Sequence, residues 1–190
     1  MTTTTLAARC FGDGDPLYEA YHDTEWGVPV HGEAELLERI ALEGFQSGLS
    51  WITVLRKRPA FREVFLDFEP ERVAALDEDD VERLLGDARI IRNRQKIEAT
   101  IGNARAVLAL HDGGRTLDEL FWSFAPPARE LRLGAGDVPA STPESVALAK
   151  ALKKEGFRFF GPTTAYAAMQ ACGLVDDHLA TCPVVTGAAT

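Results

Sequence analysis

Three groups of residues carry side chains that could do chemistry. The first lies in the run Leu42–Leu55 (LEGFQSGLSWITVL) and centres on Glu43. Glu43 follows Ile40 by three residues and Leu36 by seven, on the border of an apolar helical stripe. A carboxylate there is either partly desolvated or lines a cavity. Gly44 and Gly48 let a ligand or another backbone come close. Trp51 is a flat surface on which a planar ring can stack. Leu49, beside a glycine, is an apolar side chain on a loop, suited to wedging between stacked bases. The plainer alternative is a surface glutamate beside a buried tryptophan.

The second group is Cys10 and His22 near the N-terminus with His178 and Cys182 near the C-terminus. The spacing of His178 and Cys182 puts both on one face of a helical turn, as chelation needs. Two Cys and two His make a closed tetrahedral shell with no open position for water, hence a structural zinc that ties the chain ends together. The alternative is small core cysteines and hydrogen-bonded histidines. Cys172 lies on the apolar side of its helix and reads as core.

The third is Lys154–Cys172 (KEGFRFFGPTTAYAAMQAC): a helix end, a tight turn between Gly156 and Gly161, then a helix begun by Pro162. Such a turn presents backbone N–H groups at a helix start, a ready phosphate site with Thr163 beside it. It looks like the helix–hairpin–helix element of DNA repair enzymes. An ordinary helix–loop–helix corner is the alternative.

These groups must be positioned by helices, since the periodicity is helical almost throughout, with no sustained alternation of a strand. Asp15 and Pro16 open a short helix that Gly27 closes. A second helix covers about residues 33–46, with Leu36, Leu37, Ile40, Ala41 and Gly44 as its stripe. A third runs from Ser50 and ends before Pro59, and Pro70 starts another. Asp77–Asp80 load acid onto a helix from Val81 to Leu85 that Gly86 ends. Ile97, Ile101, Ala104 and Leu108 mark a longer helix, and Thr116 with Glu119 forms a capping box for Leu117–Phe124. Residues 126–142 read as a loop. Thr142 and Pro143 start a helix ended by Gly156, and Pro162 one ended by Gly173.

Composition allows a core: 46% of the 190 residues are apolar, and no apolar run suits a membrane span. The start, MTTTTLAAR, lacks a basic leader followed by an apolar block, so a cytoplasmic location is expected. Three cysteines are too few and odd for a disulfide framework. The net charge of −9 weighs against phosphate binding in sum, but basic residues cluster at Arg56–Arg58, at Arg89, Arg92, Arg94 and Lys96, and at Lys150, Lys153, Lys154 and Arg158. Taken singly, each cluster reads first as a solvated helix face.

Asp15–Pro29 (DPLYEAYHDTEWGVP), Leu42–Leu55, Ala88–Asn93 (ARIIRN) with Lys96 and Ile97, and Met169–Val175 (MQACGLV) together resemble the type I 3-methyladenine DNA glycosylases. The similarity runs from about Arg9 to Cys182. It implies an all-α fold of the helix–hairpin–helix DNA glycosylase superfamily, with one structural zinc per chain held by Cys10, His22, His178 and Cys182. It implies a pocket carboxylate at Glu43, base contacts from Tyr21, Trp26 and Trp51, and DNA insertion by Leu49. Gly48, Gly156, Gly161 and Thr163 join the expected DNA contacts.

The implied activity is hydrolytic removal of 3-methyladenine from double-stranded DNA carrying alkylated purines, by a monomer with no obligate protein partner. Residues 9–182 are expected as one glycosylase domain of two helical lobes, its hairpin element at about 146–172. Residues 1–8 are expected as a disordered tail and 183–190 as a flexible one. The chain departs from the family in having Phe11 and Gly12 where a tryptophan often follows the first zinc cysteine. Asp176 also stands where other glycosylases of the superfamily carry a catalytic aspartate.

Overall fold

The computed structural model describes residues 9–127 and 131–187; the tail expected at residues 1–8 lies outside these. Ten α-helices follow one another: α1 Pro16–Thr24, α2 Glu33–Gln46, α3 Trp51–Val64, α4 Pro70–Ala74, α5 Glu78–Gly86, α6 Arg94–Asp112, α7 Leu117–Trp122, α8 Pro143–Lys154, α9 Pro162–Ala171 and α10 Pro183–Thr186. The described residues contain no strand, only an isolated bridge between Arg132 and Leu179. No helix among them is long and apolar enough to cross a membrane.

The helix that carries Glu43 is the axis of the molecule. α2 packs against α3, α6, α7 and α9. Its whole run Leu36–Phe45 is buried, not merely one stripe. A helix covered on all sides must pair its charges. Glu38 accepts from Arg62 at 3.0 Å, and Arg39 donates to Glu25 at 3.2 Å. Arg58 forks onto the same Glu25 at 2.6 and 2.7 Å.

α3 differs from the sequence expectation, because Pro59 lies inside it and the helix continues to Val64. Proline costs a backbone hydrogen bond, but the turns that follow are anchored by tertiary contacts. Phe61 and Phe65 are fully buried, and Phe61 packs 4.6 Å from Phe45. On α6, Ile97, Ile101 and Ala104 are buried as expected, while Val107 and Leu110 rather than Leu108 continue the face. The capping box of Thr116 and Glu119 forms, although α7 stops at Trp122. At the C-terminal end, Pro183–Thr186 makes one more helical turn on a buried Pro183, where loose chain was expected.

α8 and α9 pack against each other across a turn in which Gly156 has φ +96° and Phe159 φ +56°. α9 also packs on α2, so the turn is held beside the C-terminal end of the central helix. Phe159 lies so close to Gly44 that a Cβ there would meet the Phe159 carbonyl at 3.3 Å.

Candidate active site

α1, α2, α3 and α9 enclose a cavity of about 250 Å³. Tyr21, Trp26, Glu43 and Trp51 all line it, so four residues singled out from the sequence meet in one place. Tyr21 and Trp51 are buried, their rings 5.4 Å apart and tilted by 46°. A second depression shares Glu43, Gln46 and Ala167 with the cavity and extends over Gly48, Leu49 and Thr163. The cavity therefore opens where the loop after α2 meets the start of α9. Leu49 is 44% exposed there, despite being a large apolar side chain. Gly48, with φ +84°, turns the chain outward at this point.

Glu43 is 6% exposed and takes no hydrogen bond among the described residues. Burial pushes its carboxyl up to about 8, against which Arg39, one turn earlier on α2, pulls weakly down. The neutral form is thus favoured in the free protein at pH 7. The stability consequence has a definite sign. The folded carboxyl binds its proton more tightly than the unfolded one, whose ordinary value is 4.5. Glu43 therefore costs nothing below the unfolded value and progressively more as pH rises towards 8. Glu43→Gln is expected to raise the melting temperature at pH 9 by about 5–10 °C and to converge with the parent near pH 5. Melting curves at the two pH values test this, and an equal gap at both would contradict the burial.

Phe11 supplies what the sequence left open. Its ring lies 5.0 Å edge-on to Trp26 and 4.9 Å from Tyr18, and it lines the cavity. The wall expected from a tryptophan is thus built by a neighbouring phenylalanine. Tyr18, Gln170 and Asp177 also line the cavity and were not singled out from the sequence. Tyr18 was within reach, since it precedes Tyr21 by three positions on α1 and so shares its face. Asp176 is a correction. It does not line the cavity, because its largely exposed carboxylate accepts from the backbone N–H of His178 at 3.0 Å and meets that ring at 2.8 Å. Asp177 faces the cavity instead, held by Tyr166, Gln170 and Arg132 at 2.5, 2.7 and 2.7 Å.

Behind Trp26 lie the cysteines and histidines. The ligand atoms of Cys10, His22 and Cys182 all fall within 4.8 Å of one another, a group that could hold a metal ion. His178 adjoins them, its ring 5.2 Å from that of His22, but outside that tight group. Residues 178–182 form a turn rather than the expected helical turn, with the Cys182 N–H donating to the Leu179 carbonyl at 2.8 Å. The Nδ1 atoms of His22 and His178 each face a carboxylate, of Asp23 and Asp176, at 2.8 Å. A carboxylate only accepts, so each Nδ1 carries a proton, and in the neutral ring each Nε2 offers a lone pair. Nε2 of His178 is buried with no hydrogen-bond partner among the described residues. Gly27, at φ +80°, is needed here, because a Cβ would meet the His178 ring at 2.9 Å.

Most basic clusters are engaged within the protein. Arg58, Arg89 and Arg94 pair with carboxylates, and Lys57 donates to the carbonyls of Ala88 and Arg89. Lys150, Lys153 and Lys154 have no ion pair within 4.0 Å among the described residues, and Lys153 flanks the turn that carries Phe159 and Gly161. Lys154 does sit in the field of Glu155, whose carboxyl is held below the usual range by Arg115 chiefly and by Lys154 with it, and Arg158 donates to the Glu98 carbonyl at 3.0 Å.

The family model described as methyladenine glycosylase matches residues 11–185, a span that includes every cavity residue but Cys10. The chain belongs to the methyladenine glycosylase family. Within it, the chain is 54% identical over 170 residues to DNA-3-methyladenine glycosylase 1 of Escherichia coli (strain K12), covering 88% of this chain and 91% of that protein. A crystal structure of a 3-methyladenine DNA glycosylase I superposes with a TM-score of 0.88 at 52% identity, over 92% of this chain and 98% of that one. The enzyme of that name from Staphylococcus aureus, solved for the structural basis of its 3-methyladenine recognition, gives 0.87 at 36% identity, over 92% and 94%.

Proposed function

We propose that this chain removes 3-methyladenine from alkylated duplex DNA by hydrolysing its N-glycosidic bond, in the first step of base-excision repair. The observation that carries this is a buried carboxyl with no hydrogen bond among the described residues, set among Tyr21, Trp26 and Trp51. 3-Methyladenine in DNA is cationic, so it is already a good leaving group and needs little acid catalysis. The protein's task is to reach the base and to hold it. Extrusion costs a few kcal/mol. Trp51 and Phe11 can hold a cation against their ring faces, worth about 1–2 kcal/mol when desolvated.

Glu43 then discriminates. Ionising a buried carboxyl is unfavourable until an opposite charge arrives. A cationic purine supplies that charge, and the carboxyl gives up its proton to solvent; neutral adenine does not, and leaves the carboxyl protonated. Selectivity follows from differential binding rather than from shape alone. The hydroxyl of Tyr21 provides a further hydrogen bond to the base edge.

Outside the cavity, α8, the turn and α9 act as a helix–hairpin–helix phosphate site. Gly161 leaves the first N–H groups of α9 without a side-chain cap, and Lys150, Lys153 and Lys154 add positive charge. Leu49 fills the gap left by the flipped base. Leu49→Ala is expected to slow release from duplex DNA about tenfold while leaving binding of the free base intact. Single-turnover release compared with free-base titration checks it.

A structural zinc belongs to the same proposal. Cys10, His22, His178 and Cys182 would hold it, and the buried Nε2 of His178, with no hydrogen bond among the described residues, supports the fit. When bound, the ion supplies no reaction chemistry but cross-links the segments that carry Phe11 and Leu179, two sides of the cavity. The direct test of the whole reading is incubation with methylated DNA and chromatographic identification of the released bases. Release of 3-methyladenine is expected, and its absence would refute the assignment.

A further inference from the structure

Lys96 lies in the first turn of α6, only 8% exposed. Its place is fixed from both sides. The side chain of Asn93 accepts from the Lys96 N–H at 3.2 Å, and Thr100 donates to its carbonyl at 3.0 Å. The ammonium donates to the carbonyls of Phe45 and Ser47, at 3.0 and 2.9 Å. Both belong to the C-terminal end of α2, where carbonyls lack helical partners and a cation is favoured.

The usual way to close such an end is a backbone N–H folding back over it. Here the closure is shared between backbone and side chain. The Leu49 N–H goes to the Gln46 carbonyl at 2.6 Å, and the ammonium serves Phe45 in its place. The Leu49 side chain can therefore project outward from an anchored backbone, and the helix end stays satisfied. A buried ammonium is costly unless acceptors replace its water, so the loop and the lysine require each other.

We infer that Lys96 is a positioning residue for base extrusion, clamping the end of α2 so that Leu49 meets the duplex at a fixed place relative to Glu43. This rests on the reading of Leu49 as the inserting residue. Lys96 acts through that loop and does not touch the base.

The test uses the full chain and the variants K96M, K96Q, K96R, L49A and K96M/L49A. Release of 3-methyladenine is measured from fully paired DNA and from the same lesion in an unpaired bubble, where extrusion costs less. Binding of free 3-methyladenine is followed by tryptophan fluorescence. K96M is expected to lose about tenfold on paired DNA, a loss that largely disappears in the bubble. Its free-base binding is unchanged, K96R restores most of the rate, and the double variant is no slower than L49A. K96Q, which keeps N–H donors but no charge, takes the place of K96M if that variant does not fold. Equal losses on both substrates, or additive losses in the double variant, would make Lys96 a merely structural cap. If L49A shows a pairing-dependent loss and K96M does not, only the lysine inference fails. If L49A itself shows none, the insertion reading fails and takes this one with it.

Discussion

Glu43→Gln is expected to cut release of 3-methyladenine from duplex DNA by roughly 10²- to 10³-fold, because it removes the opposite charge of a desolvated pair worth about 3–4 kcal/mol. Glutamine keeps the size of the side chain and its capacity to hydrogen bond, so the cavity should keep its shape. What it cannot do is give up a proton to accommodate a cation. The loss should therefore fall on the methylated, charged base and leave any weak affinity for neutral purines almost unchanged. The same substitution is expected to make the free protein more stable at alkaline pH, since a buried carboxyl held up at about 8 is a burden there. An enzyme made slower and sturdier by a single amide is the signature of a site kept in tension for its ligand. Parent rates in single-turnover assays of the glutamine variant would remove Glu43 from the reaction.

Cys182→Ser is expected to abolish stoichiometric zinc and to lower the melting temperature by about 10 °C, equivalent to roughly 3–5 kcal/mol for a chain of this size. Cys182 is fully buried, and its sulfur sits 3.5 Å from Nε2 of His22. Cys172 is equally buried but apart from the cluster, so Cys172→Ser is the control that keeps the metal. Elemental analysis and thermal melts on both variants decide the matter. If the two variants carry the same metal content as the parent, the zinc assignment is wrong.

The elements that carry the site were legible because their signals are local. The pattern of α2, the caps at Asp15, Asp77, Thr116 and Thr142, and the turn glycines at 156 and 161 are each written within a few residues. Glu43 and Trp51 were legible as candidates from the stripe of α2 and the run that follows it, whereas Tyr21 and Trp26 came only through family resemblance, which periodicity could not supply. What escaped was whatever long-range packing decides. Pro59 reads as a helix stop, yet Phe61 and Phe65 hold the chain helical beyond it. Phe11 reads as a missing tryptophan, yet its ring reaches the wall by contacts with Trp26 and Tyr18. Asp176 and Asp177 are neighbours that the sequence cannot rank. His178 takes the first and Arg132, Tyr166 and Gln170 take the second.

The cavity wall draws Cys10, Phe11, Tyr18, Tyr21 and Trp26 from one end of the described chain and Ala167, Gln170, Asp177 and Leu179 from the other. During synthesis the first set emerges early and must wait for the second, since translation adds residues one after another. A nascent chain that already carries the helix of Glu43 therefore has half a receptacle and nothing to close it. Competence for repair arrives late on the ribosome, all at once, when the C-terminal segment finally lies against residues made long before it.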